Sequence, residues 1–183
     1  MKDIIKIAAV EEISERGIKF TMTDLAKRIG VSKRCLYQHF TSKEDLISSL
    51  VDGWLEDVLK KRKEILAGND SYEEKLKSIL CGKPAVMSPT EGRIAYEIKR
   101  FMPSEWKRID HFMNEHWAVI EEFLRLGIEK GYFRPVYLPV LQKMVRGSIN
   151  EIIDYHFLMR NNVSLMQAKM YMVDILLYGL TTR

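Results

Sequence analysis

The first proline in this chain is Pro84, and glycine is sparse before it. A stretch of that length without the strongest backbone breaker is free to be helical, and its apolar spacing says that it is. Ile5, Ala8, Ala9 and Ile13 share one helix face, with Gly17 as the stop. Ser42, with Asp45 three residues on, opens a long helix over about residues 43–66. Gly68-Asn69-Asp70-Ser71 is a turn, followed by a short helix over 72–80. Residues 82–84 and 88–92 are the most loop-like of the chain. A helix near 93–101 follows. Ile109, Phe112, His116, Val119, Phe123 and Gly127 mark one further helix that closes at Gly131. Leu141, Val145, Ser148, Ile152, Tyr155 and Met159 form a stripe on a helix of about 20 residues. Asn161-Asn162 joins it to a helix of about 17 residues carrying Leu165, Ala168, Met172, Ile175 and Gly179. No segment of any length alternates with period two, so a sheet is not expected and the fold reads as all-α.

Two of the predicted helices are short and closely joined. Thr21 followed by Asp24 is a capping-box pattern, and it starts a helix that buries Leu25, Ala26 and Ile29. Gly30 tolerates the positive φ of a sharp stop, Val31 fills the corner and Ser32 caps the next helix, which carries Leu36 and Phe40. Small Ala26 lets the second helix cross closely. This is a helix-turn-helix unit. Charge concentrates on it. Residues 1–43 hold nine Lys/Arg against five Asp/Glu, whereas residues 44–183 hold twenty of each. Between Arg16 and Lys43 the basic residues are Arg16, Lys19, Lys27, Arg28, Lys33, Arg34 and Lys43, and the only acid is Asp24. A basic patch on a neutral body suits a polyanion partner. Lys33 and Arg34 fall in the first turn of the second helix, where a recognition helix meets base edges in the major groove.

Composition excludes several alternatives. With 46% hydrophobic and 30% charged residues the chain is an ordinary globular one. No apolar run approaches the roughly 18 residues of a membrane span. The apolar start, Met1 to Val10, is too short for a signal peptide and runs into Glu11, Glu12 and Glu15, so a cytoplasmic location is expected. Two cysteines, Cys35 and Cys81, make no disulfide framework. No phosphate loop, nucleophile elbow or spaced carboxylate pair appears, so no enzyme and no cofactor are expected. His111 and Glu115 share a helix face but His116 is rotated off it, so no metal site is expected either.

The stretch from Thr21 to Leu46, with its Gly30-Val31-Ser32 turn, Leu36-Tyr37-Gln38-His39-Phe40 and Ser42-Lys43-Glu44-Asp45-Leu46, resembles the DNA-binding signature of the TetR family of bacterial regulators. The match reaches back through Ile4, Ala8, Ala9 and Gly17. Glu129 to Arg134 is similar, more weakly, to a link before that family's last two helices. The resemblance implies a three-helix DNA-binding domain over residues 1–46 and a helical effector-binding and dimerisation domain over 47–183. It implies a homodimeric repressor on palindromic double-stranded operator DNA, released by a small effector. By position, Thr23, Lys33 and Arg34 face base edges, and Thr21, Tyr37, His39 and Lys43 hold phosphates; Gln38 suits either role. Lys43 also sits in a helix first turn, which favours phosphate. Cys35 stands where the family often has Thr or Ser. A small residue facing the groove and a redox-sensitive thiol both fit there.

The resemblance also implies that the last two helices form a four-helix bundle with the partner subunit, through Leu141, Val145, Ser148, Ile152, Tyr155, Met172, Ile175 and Gly179. Ser148 and Gly179 would permit close helix approach. Between Met87 and Trp117 lie large, soft side chains able to line an apolar pocket: Tyr96, Phe101, Met102, Trp106, Phe112, Met113 and Trp117 as well as Met87. They imply an apolar or amphipathic effector. The long helix over 43–66 reads as the only link from DNA-binding unit to body. An alternative is a TetR-like structural protein of the nucleoid or of cell division, with no small ligand.

Overall fold

A computed structural model of the chain describes residues 1–82 and 91–179. Met87 and most of the two expected loops around Pro84 and Pro89 lie outside the described residues. The described elements are all helices: α1 (Lys2–Arg16), α2 (Met22–Arg28), α3 (Lys33–Tyr37), α4 (Lys43–Ala67), α5 (Tyr72–Cys81), α6 (Glu91–Phe101), α7 (Pro103–Glu115), α8 (Trp117–Glu129), α9 (Leu138–Ile152), α10 (Tyr155–Arg160) and α11 (Leu165–Tyr178). Glu91 and Gly92, expected in a loop, instead form the first turn of α6.

Local chemistry sets the starts. The Thr21, Ser32, Ser42, Ser71 and Ser164 hydroxyls each accept the backbone N–H three residues on. At Thr21, Ser71 and Ser164 the third residue's side chain reaches back, which completes the capping box. The long helix differs from expectation here. The Asp45 carboxylate skips Ser42 and accepts the Thr41 N–H (2.7 Å).

Two predicted single helices are broken. The stripe through Ile109 and Phe123 divides at His116, where α7 ends and α8 begins. The stripe through Leu141 and Met159 divides at Ile153. Asp154 caps a separate α10 there by accepting the His156 N–H (2.8 Å), so Tyr155 and Met159 leave the α9 face. In both cases apolar spacing runs on across a break that backbone geometry makes.

Three cores result. The first joins α1–α3 to the start of α4 and includes Ile98 of α6. The second gathers α5, α8, α9 and α11 around Leu76, Trp117, Phe123, Val145 and Val173. The third is small, around Ile153, Leu158, Leu165 and Ala168. The first core corrects the expectation that the long helix alone links the two parts. Arg93 of α6 donates to the carbonyls of Ser14 and Glu15 (2.8 and 3.0 Å) at the end of α1. The Ile18 N–H donates to Glu97 (3.2 Å). α6 is therefore a second bridge.

Gly127 shows how tightly the second core closes. The Tyr132 N–H donates to the Gly127 carbonyl (2.8 Å), folding the chain back over α8. A β-carbon at 127 would stand 2.4 Å from the Phe133 ring and 3.2 Å from Tyr72. Gly127→Ala is expected to cost about 1–3 kcal/mol as overpacking. Urea unfolding measures it, and an unchanged midpoint would mean that Phe133 moves aside freely.

Candidate DNA-binding surface and effector body

The turn between α2 and α3 is built as its residues suggest. Gly30 has φ +70°, and the Val31 N–H donates to the Ala26 carbonyl (3.0 Å), closing α2 with a Schellman motif. Leu25, Ala26 and Leu36 are buried behind the turn. Burying that side leaves Thr21, Thr23, Lys33, Arg34, Tyr37 and Gln38 exposed, with His39 and Lys43 half-buried. Among these, Thr21 is already engaged: its hydroxyl donates to Asp24 (2.6 Å) while accepting the Asp24 N–H. The Lys33 ammonium lies 5.8 Å from the Tyr37 ring. Cys35 is half-buried and free.

Not every cation of the charge window belongs to this surface. Arg28 turns back onto α1 and pairs with Glu11 (3.3 Å), Glu12 (2.9 Å) and Glu15 (2.6 Å). Arg16 lies 3.7 Å from Glu12 as well. Glu12 is 1% exposed, so its pairs with Arg28 and Arg16 compensate a buried carboxylate, and the Arg28 pairs fix α2 against α1. The Arg28 charge is spent inside the domain, whereas the Arg16 side chain stays 65% exposed. Arg16, Lys19, Lys27, Lys33, Arg34 and Lys43 remain.

Lys43 is positioned rather than free. Its ammonium sits 5.1 Å from the Phe20 ring, and burial lowers its pKa from the ordinary lysine value. It occupies the first turn of α4, where backbone N–H groups add positive potential. Lys43→Ala is expected to weaken binding to every DNA sequence alike. The slope of log affinity against log salt should fall by about one for each phosphate left unneutralised, two across a dimer. Titrations at several salt concentrations measure it, and a wild-type slope would place Lys43 off the phosphate backbone.

The candidate effector residues are distributed over the body. Met102 and Trp106 pack on the first core, and Trp106 and Tyr96 on the third. Phe101 is exposed at the end of α6, with Lys19 5.0 Å from its ring, so it lies at the junction with the DNA-binding unit. Phe112 stacks on His116 at 4.2 Å. Met113 is half-buried in the same stretch, and Trp117 lies in the second core. The seven divide among the α1–α6 junction, the third core and the α7–α8 break.

The candidate dimer residues divide differently. Val145 is buried in the second core, and Leu141 and Met172 pack against it. Ile152 packs on the third core, and Tyr155 approaches Tyr96 with ring centroids 6.2 Å apart. Ser148 is half-buried. Gly179, at φ +72°, ends α11, and a β-carbon there would meet nothing within 4 Å among the described residues. Ile175 faces outward. The sequence reading missed its neighbours Val140, Met144, Tyr171 and Tyr178, all exposed. Val140 and Met144 lie one position back from Leu141 and Val145, so α9 is apolar on two adjacent faces. With Ile175 they border a groove of about 1420 Å³ on α9 and α11. Contiguous exposed apolar surfaces are typical of interaction sites.

Residues 5–50 match the family model of bacterial regulatory proteins, tetR family. Over 171 residues the chain is 28% identical to the HTH-type transcriptional regulator YvaF of Bacillus subtilis (strain 168), covering 92% of this chain and 90% of that one. It is 26% identical over 140 residues to the HTH-type transcriptional repressor KstR2 of Rhodococcus jostii (strain RHA1), covering 72% and 67%. The structure of the fatty acid degradation regulator FadR from Bacillus halodurans superposes with a TM-score of 0.75 at 25% identity, covering 100% of this chain and 97% of that one. Among the described residues no helix is long and apolar enough to cross a membrane, and no group of three or more His, Cys, Asp or Glu could hold a metal ion.

Proposed function

Because this chain belongs to the TetR family of bacterial regulatory proteins, we propose that it is a ligand-responsive repressor. It binds a palindromic operator as a homodimer and is released by an apolar or amphipathic effector. The single observation that carries the DNA-binding part is the outward row Thr23, Lys33, Arg34, Tyr37 and Gln38 over a buried Leu25–Ala26–Leu36 floor. Thr23, Lys33 and Arg34 face base edges; Tyr37, His39 and Lys43 hold phosphate, and Gln38 serves either. Thr21 has its hydroxyl hydrogen on Asp24, so it reaches phosphate only by releasing that carboxylate. The DNA-binding domain is residues 1–46 with the first turns of α4 as its inner wall, since Ile47 and Val51 close its core.

The dimer forms through the outward apolar rows of α9 and α11, and the two recognition helices then meet successive major grooves. The repressor reading is supported by the similarity to the Rhodococcus repressor. An effector acts by binding the two arrangements of the dimer with different strength. Two bridges carry the difference, α4 from its Lys43 end and α6 through Arg93 and Glu97. Linkage makes the test direct: operator must weaken effector binding by the factor with which effector weakens operator binding. Medium-chain fatty acid is a suitable first probe, because the Bacillus halodurans neighbour is a fatty acid degradation regulator. Calorimetric titration with and without operator is expected to give different affinities. Equal affinities would sink the allosteric reading and favour a structural DNA-binding role.

A further inference from the structure

We propose that Arg108 and Arg146 are positioning residues for operator recognition. Together they make α7 a spacer between α9, on the dimer face, and the DNA-proximal turns of α4, and so set the distance between the two recognition helices. The inference rests on the dimer reading above, to which it adds the residues that fix the span of the dimer.

Arg108 holds the end of α4 that carries Lys43. Its Nη1 donates to the Ser48 hydroxyl (2.7 Å) and to Glu105 (2.6 Å), and its Nη2 donates to Asp52. Ser48 and Asp52 stand at i and i+4, so they lie one above the other on a single face of α4. Ser48 is less than two helical turns past Lys43. A surface ion pair between two free side chains is worth little, because ordering both offsets their attraction. Arg108 is not free in that sense. Glu105, one turn before it on α7, is 9% exposed, and a buried carboxylate needs its cation. The guanidinium is therefore already ordered by Glu105 when it meets α4. Trp106 and Ile109 on the same helix pack on the first core, which holds α7 against the DNA-binding unit.

The far side of α7 is tied to α9. Arg146 donates to Asn114 Oδ1 and to Asp110, and Asn114 Nδ2 donates to Asp110 (3.3 Å), so the two acceptors are themselves joined. The Arg146 side chain is only 22% exposed. Arg108 and Asp110 stand at i and i+2, about 200° apart around a helix, so α4 and α9 are gripped from opposite faces of α7. Met144 and Arg146 are related in the same way on α9. Met144 points outward in the row that forms the dimer, and Arg146 reaches inward to α7. The order from the partner subunit inward is thus α9, α7, α4 and operator. Neither joint can slide without breaking an arginine contact that uses more than one N–H group.

The test uses the full chain and a palindromic operator selected from a random duplex library, with derivatives that gain or lose one base pair at the centre. Such a change moves and rotates one half-site against the other. Wild type is expected to prefer the selected spacing sharply. Asp52→Asn leaves the Arg108–Glu105 pair in place, and Arg146→Met keeps the length of the side chain, so both are expected to fold, as circular dichroism reports. Each should weaken the selected operator about three- to tenfold, the loss of one ordered ion pair in each protomer, and the altered operators less. The preference for one spacing then shrinks. Arg146→Lys keeps a charge for Asp110 but not the fork, and should restore part of that preference. Both contacts act through α7, so the double variant should lose no more than the worse single one. A sharp preference retained by both variants overturns the proposal and leaves the dimer reading standing. An equal loss on every operator also overturns it, because the arginines then only stabilise the fold. Losses that multiply in the double variant mean two independent contacts and overturn the spacer. Wild type without any spacing preference sinks the dimer reading, and the proposal with it.

Discussion

Ile175→Glu and Met144→Glu are each expected to yield a folded monomer that no longer binds operator at concentrations where wild type does. Ile175 is 55% exposed and Met144 57% exposed, so in the isolated protomer a glutamate at either position stays in water and the fold tolerates it. In a two-fold interface each position is used twice, once from either side. Two carboxylates then enter an apolar contact, at a cost of about 3–5 kcal/mol or more where they stay unpaired. That is roughly a 100-fold loss in dimer affinity at the least. DNA binding falls with it, because two half-sites on one dimer bind by effective concentration and a lone recognition helix does not. Val145→Glu is the contrasting control. Val145 is buried in the protomer's own core, so that variant is expected to unfold rather than to dissociate. Sedimentation velocity with circular dichroism distinguishes the cases. A folded Ile175→Glu chain that stays dimeric at low concentration would place the interface off the α9–α11 face.

The helix-turn-helix unit was legible because its determinants are local. A hydroxyl and an acid three residues apart, a glycine at a positive-φ position and a small residue at a crossing each act within a few residues. Arg28 was misleading for the opposite reason. Counting charges from Arg16 to Lys43 leaves out Glu11 and Glu12, which α1 brings against it from the far side of the turn. Glu15 lies just outside the same window. The body was legible as helices but not as an arrangement. The stripe through Tyr155 carries a visible signal of its break, Asp154, an acid able to cap the next helix; the break at His116 has none. The α6 contact to α1 is a tertiary event to which no spacing in either helix points. Arg62 of α4, buried and donating to the His116 carbonyl (3.1 Å), could have been found. It occupies the next place in the Val51–Leu55–Val58 row, and a charged residue in register with a buried row is a detectable anomaly.

Lys33→Ala and Arg34→Ala are expected to change which sequences are bound, not merely how tightly. Ser32 caps α3 through the Cys35 N–H (3.1 Å), and Leu36 anchors the helix from behind, so neither alanine disturbs the scaffold. Helix geometry is therefore held constant while the two exposed side chains are removed. A bidentate contact to a base edge discriminates by about 1–3 kcal/mol, or roughly five- to 150-fold for each half-site. Both half-sites of a palindrome lose it together, so the consensus should relax at symmetric positions. Lys33 must leave the Tyr37 ring to reach a base, and giving up that contact offsets part of its gain. Arg34 has no ring contact of that kind among the described residues and carries the fork that matches guanine, so its loss should relax the consensus more. Selection from a random duplex library, run beside Lys43→Ala as the backbone-contact control, reads both effects. The Lys43 variant should return the wild-type consensus with fewer bound molecules, since phosphate contacts carry no sequence information. If Lys33→Ala and Arg34→Ala also return it unchanged, direct readout lies with Thr23 and Gln38 instead.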